Sequence, residues 1–169
     1  HQGIFDEAII KEMLEMGLGG TYFPEEYGGA GADVLSYIMT VEELAKYDAG
    51  VSITLSGTVS LCANPIFEYG TEEQKQKFLT PLCEGTKLGA FGLTEPNAGT
   101  DASGQQTVAV KEGDHYILNG SKIFITNAGA ADIYIVFAMT DKSQGNHGIT
   151  AFILEKGMEG FTFGKKEDK

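Results

Sequence analysis

The sequence has 169 residues, 42% of them hydrophobic and 21% charged, enough apolar material for a core in one ordinary domain or two small ones, which argues against disorder. All 12 basic residues are Lys, set against 24 Asp and Glu, and the formal net charge of -12 disfavours nucleic acid as a partner and repels anions from the chain as a whole. No run of about 18 apolar residues marks a membrane span, no signal peptide opens the chain, and Cys62 and Cys83 lack the spacing of a metal or disulfide framework, which fits a reducing compartment.

His1 is an unusual start and the finish at Lys169 is abrupt, so the expectation is a piece whose natural termini are missing. A first helix is expected from about Phe5 to Met16, burying Ile9, Ile10, Met13 and Leu14 before Gly17. The Gly-rich stretch Tyr27 to Asp33 lacks both a preceding strand and the third Gly of a dinucleotide fingerprint, so it reads as the loop that delivers the chain to an N-cap at Asp33. After that cap, Val34, Leu35, Tyr37, Ile38, Val41, Leu44 and Ala45 recur at helical spacing as one apolar face. Glu42 and Lys46 are set to pair across one turn on the other side, an interaction of about 0.3–0.5 kcal/mol.

From Val51 to Tyr69 the residues are small or apolar nearly all round, which predicts a helix buried on most sides and bent or broken at Pro65. Thr71 and Gln74 have capping-box spacing ahead of Phe78, Leu79 and Leu82. The pattern changes near Gly85, giving a helical unit over 1–85 and a β unit over 86–169. Strands are expected around Val108 and Val110, Tyr116 to Leu118, Ile123 to Thr126, Ile133 to Met139 and Ile149 to Leu154. Turn-rich stretches separate them: Glu112 to Asp114, Asn119 to Ser121, Asn127 to Ala131 and Asp141 to Gly148. Short strands without intervening helices imply an α+β protein: part of an N-terminal helical bundle followed by an antiparallel, barrel-like sheet. His1, His115 and His147 share no ligand spacing, and no metal is expected.

Two segments carry chemistry. In residues 91–104, FGLTEPNAGTDASG, an apolar strand end leads through Thr94, Glu95 and Pro96 into small residues. Such a loop can present successive backbone N–H groups as an anion nest, with Thr100 and Ser103 adding hydroxyls, so that a diphosphate could bind without Arg; by composition alone it reads equally as a long surface turn. In Lys122 to Asn127, a period of two puts Phe124 and Thr126 on one face, where a ring and a hydroxyl could meet a flat heterocycle, although without context Phe124 reads rather as a core residue and Thr126 as a strand-edge residue.

Residues 91–104 resemble the signature of the acyl-CoA dehydrogenase family, in which an apolar strand ends in [ST]-E-P before a Gly and [ST]-D. Tyr27-Gly28-Gly29, Glu43-Leu44-Ala45, the run from Gly70 to Pro81, Asn119-Gly120-Ser121-Lys122 and Phe124-Ile125-Thr126-Asn127 are similar to further family landmarks in the same order. The resemblance covers essentially the whole chain and is closest to short-chain, butyryl-CoA dehydrogenases. It implies FAD against the β unit, with Phe91, Leu93, Thr94, Gly99, Thr100, Phe124, Ile125 and Thr126 as cofactor-binding residues. Leu93 and Thr94 would lie near the pyrimidine edge and Thr126 near flavin N5. Thr100 would lie near both the diphosphate and the acyl-CoA, and Phe124 stands where many relatives have Trp.

The reaction implied is α,β-dehydrogenation of a short-chain acyl-CoA in fatty-acid metabolism, with electrons passed to an electron-transferring flavoprotein. The alternatives are a related acyl-CoA oxidase or a noncatalytic flavin- or acyl-CoA-binding module. The family's C-terminal helical domain and its catalytic carboxylate have no counterpart in the sequence, so no catalytic residue is expected in this chain. A homo-oligomer, tetramer or dimer, is implied for the full-length protein, without nucleic acid or membrane. Its implied location is the cytoplasm of a bacterium or the mitochondrial matrix of a eukaryote.

Overall fold

A computed structural model describes residues 5–166; residues 1–4, His1 among them, and residues 167–169 lie outside the described residues. Helix α1 (Glu7–Glu15) starts where the Asp6 carboxylate accepts from the Ala8 and Ile9 N–H groups, and it ends at Gly17, whose φ of 79° suits glycine. Its inward residues are Ile10, Met13 and Leu14, whereas Ile9, expected inside, is exposed.

Asp33 caps helix α2 (Val34–Tyr47) as expected, accepting from the Ser36 N–H at 2.8 Å. The expected apolar face is only partly used. Tyr37 is buried, while Val34, Leu35 and Ile38 stay more than half exposed, because the described residues pack on one flank of the helix only. Lys46 pairs with Glu43 three residues back and not with Glu42.

Helix α3 (Ala49–Tyr69) is long and apolar enough to cross a membrane by length and composition, yet it forms the centre of the core, with Leu55, Val59, Cys62, Ala63 and Ile66 buried. It is not buried on most sides, since Ile53 and Leu61 are exposed. Pro65 neither breaks nor ends it. The turn before Pro65, Gly57–Ala63, is a wide π-turn in which the Asn64 N–H reaches the Val59 carbonyl, five residues back. Widening relieves the clash between the proline ring and the preceding turn. The same device recurs in α4 (residues 72–83), which opens on the Thr71/Gln74 capping box and has a π-turn over Lys75–Leu79 ahead of Pro81.

The sheet has five strands: β1 (Gly89–Gly92), β2 (Val108–Glu112), β3 (His115–Asn119), β4 (Ile133–Met139) and β5 (Ile149–Glu155). It is mixed where an antiparallel sheet was expected. The β2/β3 and β4/β5 ladders are antiparallel, but β1 and β2 both run parallel to β4. Residues 93–107 join β1 to β2, which run in the same direction, and so serve the purpose a helix usually serves there, while residues 120–132 carry the chain from β3 back past β2 to β4. β1 pairs with β4 from Ile133 to Val136 and β2 only at Met139, on the same edge, so residues 93–107 leave the sheet as a loop between the two contacts.

The strand expected from Ile123 to Thr126 does not form. The chain there turns, with Phe124 at φ 55° and Asn127 at φ 66°, so the expected alternation of faces does not apply. α3 meets the sheet most closely at Gly89. A Cβ on that residue would lie 2.7 Å from the Cys62 Cβ, so glycine sets the depth to which the π-turn seats on β1.

Candidate functional site

Where β1 ends, the loop after it, the π-turn of α3 and the irregular segment after Lys122 converge on a cleft of about 250 Å³. Its walls are Phe91, Leu93 and Thr94, then Phe124, Ile125 and Thr126, with Gly57 and Leu61 from α3. Six of the eight residues singled out from sequence therefore share one cavity, and they come from two segments about thirty positions apart. Phe91 is steadied by an edge-to-face contact with Phe137 of β4, ring centroids 5.1 Å apart. A larger depression of about 310 Å³, between Val110, Tyr116, Met139 and Lys142, contains none of these residues.

Gly99 and Thr100 are not in the cleft; both are exposed farther along the loop. No residue from 93 to 107 has a positive φ, so the loop lacks the alternating backbone of an αR–αL nest, and Gly99 is not strained. The Ser103 hydroxyl is committed to the Asp101 carboxylate at 2.7 Å. The Thr100 and Thr126 hydroxyls make no hydrogen bond among the described residues. His115 lies beside Asp114 at the exposed β2/β3 turn and His147 in an exposed turn before β5, both away from the cleft.

Behind the cleft lies a buried ion pair. Lys122 Nζ donates to Glu95 Oε1 at 2.7 Å, to the Leu93 carbonyl at 3.0 Å and to Gln105 Oε1 at 3.0 Å, so all three ammonium donors are used. Glu95 also accepts from the Gln106 and Thr107 N–H groups. Burial by itself would raise the Glu95 carboxyl, but the ammonium and these donors outweigh it and hold it at about 2. A carboxylate so engaged stays ionised and cannot collect a proton near neutrality.

On the other wall, the Asn127 amide donates to the Thr54 carbonyl at 3.1 Å and the Gly89 carbonyl at 3.0 Å, tying the turn that carries Thr126 to both α3 and β1. Its own Oδ1 is buried without a hydrogen-bond partner among the described residues. From sequence, Gly57 and Leu61 have no place at the site, and Lys122 and Asn127 appear only as ends of a segment and as family landmarks, without a role. The legible signal was Lys122 itself, a lone cation entering an apolar run, with Glu95 as a lone anion at an apolar strand end.

Two family models match: the acyl-CoA dehydrogenase N-terminal domain over residues 1–86 and its middle domain over residues 90–169. The short-chain-specific acyl-CoA dehydrogenase of Megasphaera elsdenii is 75% identical over all of this chain and 45% of its own length. The solved butyryl-CoA dehydrogenase of that organism superposes with a TM-score of 0.97, with the same identity and coverage. A chain solved in work on the electron-transferring flavoprotein of Acidaminococcus fermentans and flavin-based electron bifurcation is 70% identical, with a TM-score of 0.97 over 98% of this chain and 44% of that one. An acyl-CoA dehydrogenase of Bacillus anthracis in complex with FAD is 42% identical, with a TM-score of 0.87 over 96% of this chain and 28% of that one. The chain thus spans less than half the length of these relatives.

Proposed function

Because the chain belongs to the acyl-CoA dehydrogenase family, we propose that the full-length protein carries out flavin-dependent α,β-dehydrogenation of a short-chain acyl-CoA, butyryl-CoA in the first instance. Residues 1–85 are assigned to the N-terminal helical unit and 86–169 to the flavin-binding β unit. The observation that carries the reading is the cleft: a slot with aromatic and aliphatic walls, two threonines at its rim and a hydroxyl on Thr126 that no described residue occupies. That donor set suits a flat heterocycle with polar edges. The relative solved with FAD and the relatives named for short-chain and butyryl-CoA substrates support both cofactor and substrate.

Bound FAD would supply hydride acceptance. Phe91, Leu93 and Ile125 exclude water from the cleft, and the threonine hydroxyls orient the bound ring's polar edge. Thr100, on the exposed loop, is assigned to the diphosphate and acyl-CoA side. The residue that takes the α proton is assigned to the part of the full-length protein outside this chain. Glu95 is held ionised by Lys122, and Asp101 is an exposed loop carboxylate outside the cleft walls. Transfer of electrons to an electron-transferring flavoprotein is supported by the Acidaminococcus chain. A homo-oligomer, dimer or tetramer, is supported by the exposed Val34, Leu35 and Ile38. A bacterial cytoplasm, or a mitochondrial matrix in a eukaryote, is supported by two free cysteines.

The test is anaerobic addition of butyryl-CoA to the purified full-length protein. Stoichiometric bleaching of a bound flavin is expected, with slow reoxidation by air. A protein without flavin, or one no short-chain acyl-CoA bleaches, would overturn the reading; rapid reaction with dioxygen would favour an oxidase.

A further inference from the structure

We propose that the Lys122–Glu95 pair is a positioning and polarising device for the cleft: through the Leu93 carbonyl the ammonium fixes the Leu93–Thr94 peptide and strengthens its N–H as a donor to a bound flavin, and Glu95 limits that charge. The inference rests on the flavin reading above.

Four observations carry it. Both partners are almost fully enclosed, with side-chain exposures of 9% and 6%, so water screens the pair little. Lys122 touches the cleft wall through the Leu93 carbonyl, and Leu93 and Thr94 both line the cleft. The Leu93–Thr94 peptide is trans, no cis bond occurring among the described residues, so the Thr94 N–H, on the same planar unit as the Leu93 carbonyl, points away from Lys122. A charge-assisted bond at one end of a peptide group polarises the other end, making its N–H a better donor. Finally, the Ile123 N–H donates to the Thr94 carbonyl at 2.9 Å, so the consecutive residues Lys122 and Ile123, just ahead of the Phe124–Thr126 wall, hold the consecutive carbonyls of Leu93 and Thr94 in the other.

A purely structural strut and a polarising device differ in sign. Reduced flavin carries more negative charge than oxidised flavin, so a nearby cation favours reduction and a nearby anion opposes it. Lys122→Met removes the cation, whereas Glu95→Gln leaves an ammonium that still has three acceptors, the new amide oxygen included, and so remains charged. The two substitutions should move the flavin in opposite directions.

The experiment measures the two-electron midpoint potential, FAD retention and thermal stability of the full-length holoenzyme and its variants. Glu95→Gln is expected to shift the equilibrium toward reduced flavin about tenfold, about 30 mV for a two-electron couple. Lys122→Met is expected to shift it about as far the other way. Lys122→Arg should stay near wild type, and the double variant should return toward it. If Lys122→Met fails to fold, Glu95→Gln and the double variant decide: a rise in the first and a return in the second support the device. Shifts of the same sign, or no shift in a folded, flavin-loaded Glu95→Gln protein, overturn it. A wild-type protein that holds no flavin would instead overturn the functional reading beneath it.

Discussion

Substitution of Asn127 separates the two jobs this residue does at once: its amide ties the cleft turn to α3 and β1, and its backbone tolerates a φ of 66°. Asn127→Gly removes the amide and keeps the backbone comfortable. Two hydrogen bonds to carbonyls of buried residues are lost, each about 1 kcal/mol net and more where the carbonyl is left unpaired, so a loss of about 2–4 kcal/mol is expected. Asn127→Leu loses the same bonds and must also hold a bulky residue in the left-handed region, about 1–2 kcal/mol more. Glycine, however, widens the unfolded ensemble by about 0.4–1 kcal/mol, so Leu should fall below Gly by only about 0.5–1 kcal/mol. Asn127→Asp keeps the shape but points a carboxylate oxygen at two carbonyls, and should be no more stable than Gly. Urea unfolding of the full-length variants, with FAD affinity alongside, measures this ladder. An Asp variant as stable as wild type would refute the role of the amide, and a Leu variant as stable as Gly would refute the backbone argument.

Four further outcomes follow from the same geometry. Glu95 has its carboxyl lowered from an ordinary 4.5 to about 2, so its contribution is fully present above pH 4.5 and is lost as the pH falls toward 2. That loss is on the order of 3 kcal/mol, and Glu95→Gln should flatten the acid limb of an unfolding-versus-pH curve. Gly89→Ala drives a methyl to within 2.7 Å of the Cys62 Cβ and should cost about 1–3 kcal/mol in chemical denaturation; an unchanged midpoint would deny the close approach of α3 to β1. Thr126→Val keeps the shape and removes one donor worth about 0.5–1.5 kcal/mol, so FAD should bind about 2- to 10-fold more weakly with a shifted potential, and no change in either would remove Thr126 from the flavin. Gly99→Val places its side chain in open space, so stability should stay within about 0.5 kcal/mol, and unchanged FAD affinity would leave this loop as a turn only.

Much of the fold was legible locally because its causes are local. Asp33 and the Thr71/Gln74 box mark helix starts through bonds that span three residues, and the strands at 133–139 and 149–155 are continuous apolar runs long enough to be strands. The two segments that line the cleft were likewise visible as a [ST]-E-P strand end and as the run from Phe124 to Asn127. What tertiary structure alone decided is everything that depends on distant partners. The parallel pairing of β1 and β2 with β4 is set by long crossings whose path no local pattern encodes. The turn at Phe124 stands where a strand was expected, and the Asn127 amide that ties it down bonds the Thr54 and Gly89 carbonyls, partners 73 and 38 positions away that no local pattern reveals. The exposure of Val34 and Ile38 on an apolar helix face follows from which neighbours are present, not from periodicity. The Lys122–Glu95 contact, across twenty-seven positions, likewise exists only once α3, β1 and the loop have closed water out from between the two charges.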